Sequence, residues 1–304
     1  MPIPEVDWIW LNGEFVPWKE ARVHVLTHAL HYGSGVFEGI RAYATSKGTA
    51  VFRLTDHLER LVQSAKIYRM DIPYTIEELA TATRELIRKN GLESCYIRPI
   101  VYRGYGEMGL FPLKCPVEVA IAVWPWGAYL GDEGIKHGIR AHISSFRRID
   151  PNALPPAAKA TGQYINSILA KLEAVETGYD EAILLDSRGF VSEGSGENIF
   201  IVEKGTLVTP PIEASILKGI TRDSVMTLAR ANGIEVREEN IVRSQLYLAD
   251  EAFFSGTAAE VVPIREIDGR ILGEPGPVTR KIQQLFYDVV SGNHGEYEAW
   301  LEYV

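Results

Sequence analysis

Residues 151–166 read PNALPPAAKATGQYIN, with one charged side chain, Lys159, among Pro, Ala, Thr and Gly. Asp150 lies just before the stretch, and the next lysine is Lys171. Small neighbours leave room above the ammonium, while apolar neighbours raise the cost of keeping it charged. Those conditions suit a lysine that acts as a nucleophile or forms a Schiff base. The plain alternative is a loop lysine between prolines and a helix. The rest of the chain decides between them.

The chain has 304 residues, enough for two domains with a large core. Apolar residues make up 46% and charged residues 23%, an ordinary soluble globular composition. A net charge of −9 argues against nucleic acid or an anionic membrane as partner. Cys95 and Cys115 lie far apart with no CxxC spacing, which signals neither a disulfide scaffold nor a zinc cluster and fits a reducing cytoplasm. The opening MPIPEVDWIW lacks a basic start followed by an apolar run, so no signal peptide is expected. The most apolar long stretch, 115–131, is broken by Pro116, Glu118, Pro125 and glycines, so it does not read as a membrane span.

From the N-terminus, residues 7–17 predict a hairpin turning at Asn12-Gly13. His24, His28 and His31 fall at i, i+4 and i+7, a metal-like spacing, but no HExxH pattern accompanies them and glycines follow, so no metal is expected. Thr55 is expected to cap one helix, and Thr75 with Glu78 to form a capping box on a second that stops at Gly91. Residues 95–104 and 116–126 predict strands. Between them Gly104, Gly106 and Gly109 spell GxGxxG, yet Leu110-Phe111-Pro112 leaves no register for the helix a dinucleotide needs. The expected division is a small N-terminal α/β domain over 1–125, a glycine-rich linker over 126–134, and a larger domain over 135–304. In the second half, strands are expected near 139–145, 181–186 and 197–203, with helices after Lys159, over 221–232 and near 278–291.

Three segments could cradle an anion. Gly219 precedes a helix start with Thr221 as cap, so the free backbone N–H groups and the helix dipole there would suit a phosphate. Residues 255–258, Ser-Gly-Thr-Ala, offer a hydroxyl and amides after an apolar strand. Arg60 could add a positive charge. With a poised lysine they suggest one phosphorylated cofactor that forms a Schiff base. Pyridoxal phosphate needs a lysine, a phosphate cradle and a carboxylate at the ring nitrogen. Glu193, between glycines in VSEGSGEN, is the candidate carboxylate, and Glu197 reads as a structural hydrogen-bond partner.

The segments HALHYGSGVFEGIRAY, YIRPIVYRGYGEMG, AAKATGQY, SEGSGENIF, LKGITRD and SGTAAE, in that order, resemble the fold-type IV pyridoxal-phosphate aminotransferases, closely the branched-chain amino acid aminotransferases. The resemblance spans about residues 7–290. It implies a two-domain α+β fold whose larger domain has a barrel-like β core. The cofactor is expected at the domain interface, with homodimers as the minimal unit and hexamers also occurring. Lys159 would carry the cofactor and move the proton, Tyr164 would bond the ring hydroxyl, and Glu193 would pair with the ring nitrogen. Arg60, Gly219, Ile220, Thr221 and Thr257 would hold the phosphate. Tyr32, Phe37, Met108, Trp126 and Tyr129 would shape the side-chain pocket, partly from a neighbouring subunit. Gly39, Tyr96, Thr257 and Ala258 would surround the α-carboxylate, and Arg98 would take the distal carboxylate of glutamate. Thr161 and Gln163 depart from the family's Gly-Gly-Asn-Tyr pattern, a change expected to alter packing behind the cofactor.

The activity so implied moves the amino group of L-leucine, L-isoleucine or L-valine onto 2-oxoglutarate in a cytoplasmic homo-oligomer. Rivals of the same fold are a D-amino acid or (R)-amine transaminase and an aminodeoxychorismate lyase. From other classes, a nicotinamide (NAD) dehydrogenase rests only on the broken GxGxxG, and a cofactor-free binding protein requires Lys159 to be structural. Trp124, Trp126 and Tyr129 could equally be core or linker packing.

Overall fold

The computed structural model describes residues 3–127 and 131–304. The chain packs into two compact units. The first combines the chain through Trp126 with Ala158–Gln163 and Val289–Val304, and the second comprises Gly127–Ala157 and Tyr164–Asp288. The Lys159 segment, Ala158–Gln163, thus packs with the first unit. A helix already runs over Gly131–His137, and the chain's end joins the first unit rather than the second.

In the first unit, β1 (Trp8–Leu11) and β2 (Glu14–Pro17) form the expected hairpin. Asn12 and Gly13 both take positive φ, 49° and 95°, the handedness that matches twisted strands. A short α1 (His28–Tyr32) leads to β3 (Gly35–Phe37), β4 (Ile40–Thr45) and β5 (Gly48–Phe52). Then come α2 (Leu54–Ile67), α3 (Ile76–Lys89), β6 (Cys95–Arg103) and β7 (Val117–Trp124). Among the described residues the strands form one antiparallel sheet. Its order is the C-terminal strand Leu301–Tyr303, β5, β4, β6, β7, β1, β2, with β3 also on β6. Leu58 and Leu61 of α2 and Leu79, Leu86 and Ile87 of α3 are fully buried with Ile97 and Ile121 of the sheet. Each such side chain contributes about 1.5–3 kcal/mol of burial.

The capping box on α3 forms as expected, with Thr75 accepting the Glu78 amide and Glu78 accepting the Thr75 amide. Thr55 does not cap α2. Arg53, at φ 51°, is the N-cap residue, and the Thr55 amide donates to Glu302 Oε1 at 2.7 Å. Residues 104–111 form a loop with Tyr105, Met108, Leu110 and Phe111 exposed, and only a single 3-10 turn, Pro112–Lys114, follows.

The second unit runs through α4 (Gly131–His137), β8 (Ile139–Arg147), α5 (Tyr164–Glu176), β9 (Glu181–Leu185) and β10 (Val191–Gly194). It continues with β11 (Asn198–Glu203), β12 (Thr206–Thr209), α6 (Ile220–Ala231), β13 (Val236–Glu238) and α7 (Arg243–Leu248). β14 (Glu251–Gly256), β15 (Glu260–Ile267) and α8 (Pro277–Val290) complete it. Its mixed sheet is ordered β10, β9, β8, β15, β14, β11, β12, β13, with β8 parallel to both its neighbours. Ile199 lies opposite Phe254, and Phe254 opposite Val262, in the centre of the core. The same ladder sets Asn198 beside Ser255, and the Asn198 side chain reaches the Leu217 carbonyl in the loop before α6.

Candidate active site

In the first unit Lys159 lies in a six-residue segment tied down at its backbone. Its amide donates to Ser64 Oγ at 3.1 Å, and its carbonyl accepts the Phe37 amide at 3.0 Å. Ala158 and Ala160 on either side are buried, and Ala160 bridges to Val36. Thr161 Oγ1 donates to the Gly33 carbonyl at 2.9 Å, and a Cβ on Gly33 would meet Gly162 Cα at 2.8 Å. Gln163, also buried, donates to Tyr68 Oη at 3.3 Å. Thr161 and Gln163 are thus both held by hydrogen bonds to the first unit beside Lys159 in the chain. The ammonium itself lies 5.1 Å from the Phe37 ring centre, half-buried.

Phe37, Tyr96, Trp124 and Trp126 form an aromatic wall in the same unit. The Tyr96 ring centre lies 5.1 Å from that of Trp124 and 5.0 Å from that of Trp126. Arg98 reaches over this wall, 4.7 Å from the Phe37 ring and 5.2 Å from the Tyr96 ring, and its Nη2 donates to Tyr96 Oη at 3.1 Å. Its Nε is buried with no acceptor among the described residues. Gly39 abuts the Tyr96 hydroxyl. Trp124 therefore belongs to this wall, although its sequence context fits plain core packing equally well. Tyr32 and Met108 are exposed in α1 and in the 104–111 loop, and Tyr129 lies outside the described residues. His28, from the metal-like triplet, has Nδ1 against Ser34 Oγ at 2.7 Å and Nε2 against the Gly109 carbonyl at 2.8 Å.

Arg60 on α2 is clamped by a residue the sequence reading passed over. Glu38, fully buried, accepts from Arg60 Nε at 2.7 Å, from Arg60 Nη2 at 2.8 Å and from His57 Nδ1 at 2.7 Å. Burial opposes charge on Glu38, but Arg60 and His57 outweigh it and hold the carboxyl well below the usual range. Burial pushes the His57 imidazole down, so the ring is neutral and donates through Nδ1–H. The signal was available, because Glu38 in VFEGI is as isolated among apolar and small residues as Lys159 is.

In the second unit Glu193 sits on β10, buried, where two hydrogen-bond donors and one guanidinium converge. Leu217 N–H donates to Oε2 at 2.9 Å, Asn198 Nδ2 lies 3.3 Å from Oε2, and Arg148 Nε lies 2.8 Å from Oε1. Asn198 also donates to the Leu217 carbonyl at 2.9 Å, locking the loop before α6. At the start of α6, Gly219 is an N-cap with no side-chain cap, and Thr221 is buried. A Cβ on Gly219 would run into Asn198 Oδ1, so any side chain there would have to push Asn198 aside. Thr257 and Ala258 occupy the β14–β15 turn, half-buried, next to Ser255, whose buried Oγ has no partner among the described residues. Tyr164 opens α5. Arg148 and Asn198 also went unremarked, since a lone arginine or asparagine at a strand end carries no local pattern.

An amino-transferase class IV family model matches residues 35–267. The branched-chain-amino-acid aminotransferase of Escherichia coli K12 is 51% identical over 307 residues, covering 100% of this chain and 99% of that protein. The chain belongs to the class IV aminotransferases. Solved class IV structures agree. The crystal structure of Escherichia coli branched-chain amino acid aminotransferase matches with a TM-score of 0.96 at 51% identity, over 98% of this chain and 99% of that one. The Thermobaculum terrenum branched-chain amino acid aminotransferase, solved in its PLP-bound holo form, matches with a TM-score of 0.91 at 38% identity, over 98% of each chain. The fold is the fold-type IV α+β arrangement that the resemblance implied.

Proposed function

We infer that this protein is a pyridoxal-phosphate-dependent branched-chain amino acid aminotransferase. It moves the amino group between L-leucine, L-isoleucine or L-valine and 2-oxoglutarate. The observation that carries this reading is full-length identity of about one half with an enzyme of that name. The rivals of the same fold lack that support, and the GxGxxG loop is followed by no helix that could serve a dinucleotide.

The residues fit the cofactor by their own chemistry. A side chain at Gly219 would displace Asn198, the α6 N-terminus lacks a side-chain cap, and Ser255 Oγ is buried without a partner among the described residues. That set suits a phosphate, with Arg60 and Thr257 as further ligands. Glu193, a buried carboxylate held by Leu217, Asn198 and Arg148, is proposed to hold the ring nitrogen's proton. Tyr164 is proposed to donate to the ring hydroxyl oxygen. When bound, pyridoxal phosphate supplies an aldehyde that accepts the amino group and a ring that withdraws electrons from the substrate Cα. Lys159 is the residue that would hold the cofactor, and its amine would move a proton at the substrate Cα.

The aromatic wall is proposed to receive an aliphatic side chain and Arg98 the distal carboxylate of glutamate. Arg98 already sits over the Phe37 and Tyr96 rings, so its charge keeps those ring faces as partners when an apolar side chain occupies the pocket. Gly39, Tyr96, Thr257 and Ala258 are proposed to surround the α-carboxylate. The two packed units are taken as the functional domains of the enzyme.

A homo-oligomer, at least a dimer, is supported by large exposed apolar side chains. Leu110 is 89% and Phe111 69% exposed, and α5 presents Ile165, Ile168, Leu169, Leu172 and Val175 outward. Tyr32, exposed on α1, and Met108, exposed on the loop of Leu110 and Phe111, are proposed to line a neighbouring subunit's pocket, together with Tyr129. Two free, buried cysteines support a cytoplasmic location, with burial pushing the Cys95 thiol up to about 12. Among the described residues no helix is long and apolar enough to cross a membrane.

The test is the visible spectrum of the purified protein. A yellow band bleached by L-leucine but not by D-alanine, restored by 2-oxoglutarate and missing in Lys159→Ala, is expected. Bleaching by D-alanine instead, or a protein that stays colourless with added pyridoxal phosphate, would overturn the reading.

A further inference from the structure

One face of α2 carries His57, Arg60 and Ser64, spaced i, i+3 and i+7. Its first two residues hold Glu38, and the third holds the Lys159 amide. Glu38 is the centre of this arrangement. It lies between β3 and β4 with no exposed surface, and its backbone is held as firmly as its carboxylate. The Glu38 amide donates to the Pro99 carbonyl at 2.9 Å, and the Gly39 amide reaches back to Glu38 Oε2 at 3.3 Å. The preceding residue, Phe37, donates its amide to the Lys159 carbonyl.

A fully buried carboxylate is costly unless its acceptors are filled, and here three charged or polar N–H donors fill them. The two bonds to Arg60 are a side-on fork through Nε and Nη2, which fixes the guanidinium plane. His57 removes the remaining freedom of the carboxylate by taking Oε2 from a third direction. Two of the five guanidinium N–H donors are spent on Glu38, so the rest point along directions set by Glu38.

We propose that Glu38, backed by His57, is a positioning residue that presents Arg60 to the cofactor phosphate. This rests on the assignment of Arg60 as a phosphate ligand. A free arginine would lose side-chain entropy on gripping the phosphate, whereas this one is ordered beforehand. Glu38 touches neither substrate nor cofactor in this role. It acts through Arg60, and the adjacent Phe37 amide ties that arm to the backbone of Lys159.

The experiment compares binding of pyridoxal phosphate and of pyridoxal, which lacks the phosphate, to the full-length protein stripped of cofactor. Glu38→Gln turns the fork into a single bond, because one amide N–H then faces an Arg60 N–H. The phosphate advantage, the ratio of the two dissociation constants, is expected to fall about tenfold while pyridoxal binding changes less than about twofold. Glu38→Asp keeps the charge but is too short to reach both partners, and is expected to show the same selective loss. It carries the test if the glutamine variant does not fold. Equal weakening of both ligands would mark Glu38 as merely structural, and an unchanged ratio would also overturn the proposal. Arg60→Gln separates the two layers. If it leaves the ratio unchanged, the phosphate assignment itself falls. If it lowers the ratio and the Glu38 variants do not, only the positioning role falls. The double variant is expected to lose no more than Arg60→Gln alone.

Discussion

Gly39 and Tyr96 are in contact that admits no side chain, since a Cβ on Gly39 would lie 2.0 Å from the Tyr96 hydroxyl oxygen. That hydroxyl accepts from Arg98 Nη2 at 3.1 Å, so the glycine sets the position of both polar groups over the aromatic wall. Gly39→Ala is therefore expected to displace Tyr96, break that hydrogen bond and raise the KM for amino acids and 2-oxo acids about tenfold. The cofactor's absorbance should be unchanged. Steady-state kinetics read beside the spectrum check this, and an unaltered KM would show that Tyr96 does not shape the substrate site.

Arg98 separates the two substrate classes. Its buried Nε lacks an acceptor among the described residues, and a distal carboxylate would supply one. Arg98→Met keeps much of the aliphatic stem and removes the charge. The half-reaction with glutamate is expected to weaken roughly 10- to 100-fold in kcat/KM, with leucine changed only a few-fold. Parallel loss for both substrates would place the carboxylate elsewhere.

Glu197 governs a pH dependence of stability. Its carboxyl is pushed up from 4.5 to about 8, first by burial and then by the neighbouring Glu181. Glu181 has Lys171 as counter-ion at 2.7 Å, while Glu197 Oε2 accepts the Gly196 amide at 3.0 Å. Because the folded value exceeds the unfolded one, this group's contribution is complete below pH 4.5. It declines as the unfolded chain gives up a proton that the folded chain keeps, and levels off above about pH 8. Glu197→Gln imitates the protonated form. Its melting temperature relative to the parent is expected to rise from about pH 5 to about pH 8.5, either side of the folded value, and scanning fluorimetry at both decides. An equal difference at the two pH values would show that Glu197 is ionised in the fold.

The capping box of α3 offers a purely structural check. Thr75→Ala removes the acceptor for the Glu78 amide and is expected to cost about 1 kcal/mol, or roughly 2–4 °C in melting temperature. Calorimetry of the parent and the variant measures it. A loss below the noise would mean that helix packing, not capping, secures that terminus.

What could be read from the chain depended on how local the deciding contacts are. The Asn12-Gly13 turn and the Thr75–Glu78 box are complete within four residues, and both were legible. The start of α2 was not, because its Thr55 amide is met by Glu302 from the far end of the chain. The short strand β10 was hidden in a glycine-rich segment, where its pairing with β9 outweighs weak intrinsic propensity. Within the site, Lys159 and Glu193 stood out as charges among small residues, and Gly219 as a glycine before a helix. Arg148 and Asn198 orient Glu193 only through contacts made after folding, and nothing adjacent to them in sequence announces it.

The lysine-bearing segment and the chain's last strand both pack with residues far upstream of them. During synthesis, then, the first unit cannot be finished when the chain through Trp126 has left the ribosome. β5 keeps a bare edge until residues 301–303 arrive to pair with it, and the place behind Val36 stays open until Ala160 fills it. A chimera joined near residue 127 would therefore import two foreign pieces into the first unit along with the second. Recombination between relatives would have to move three separate stretches of gene to keep that unit intact.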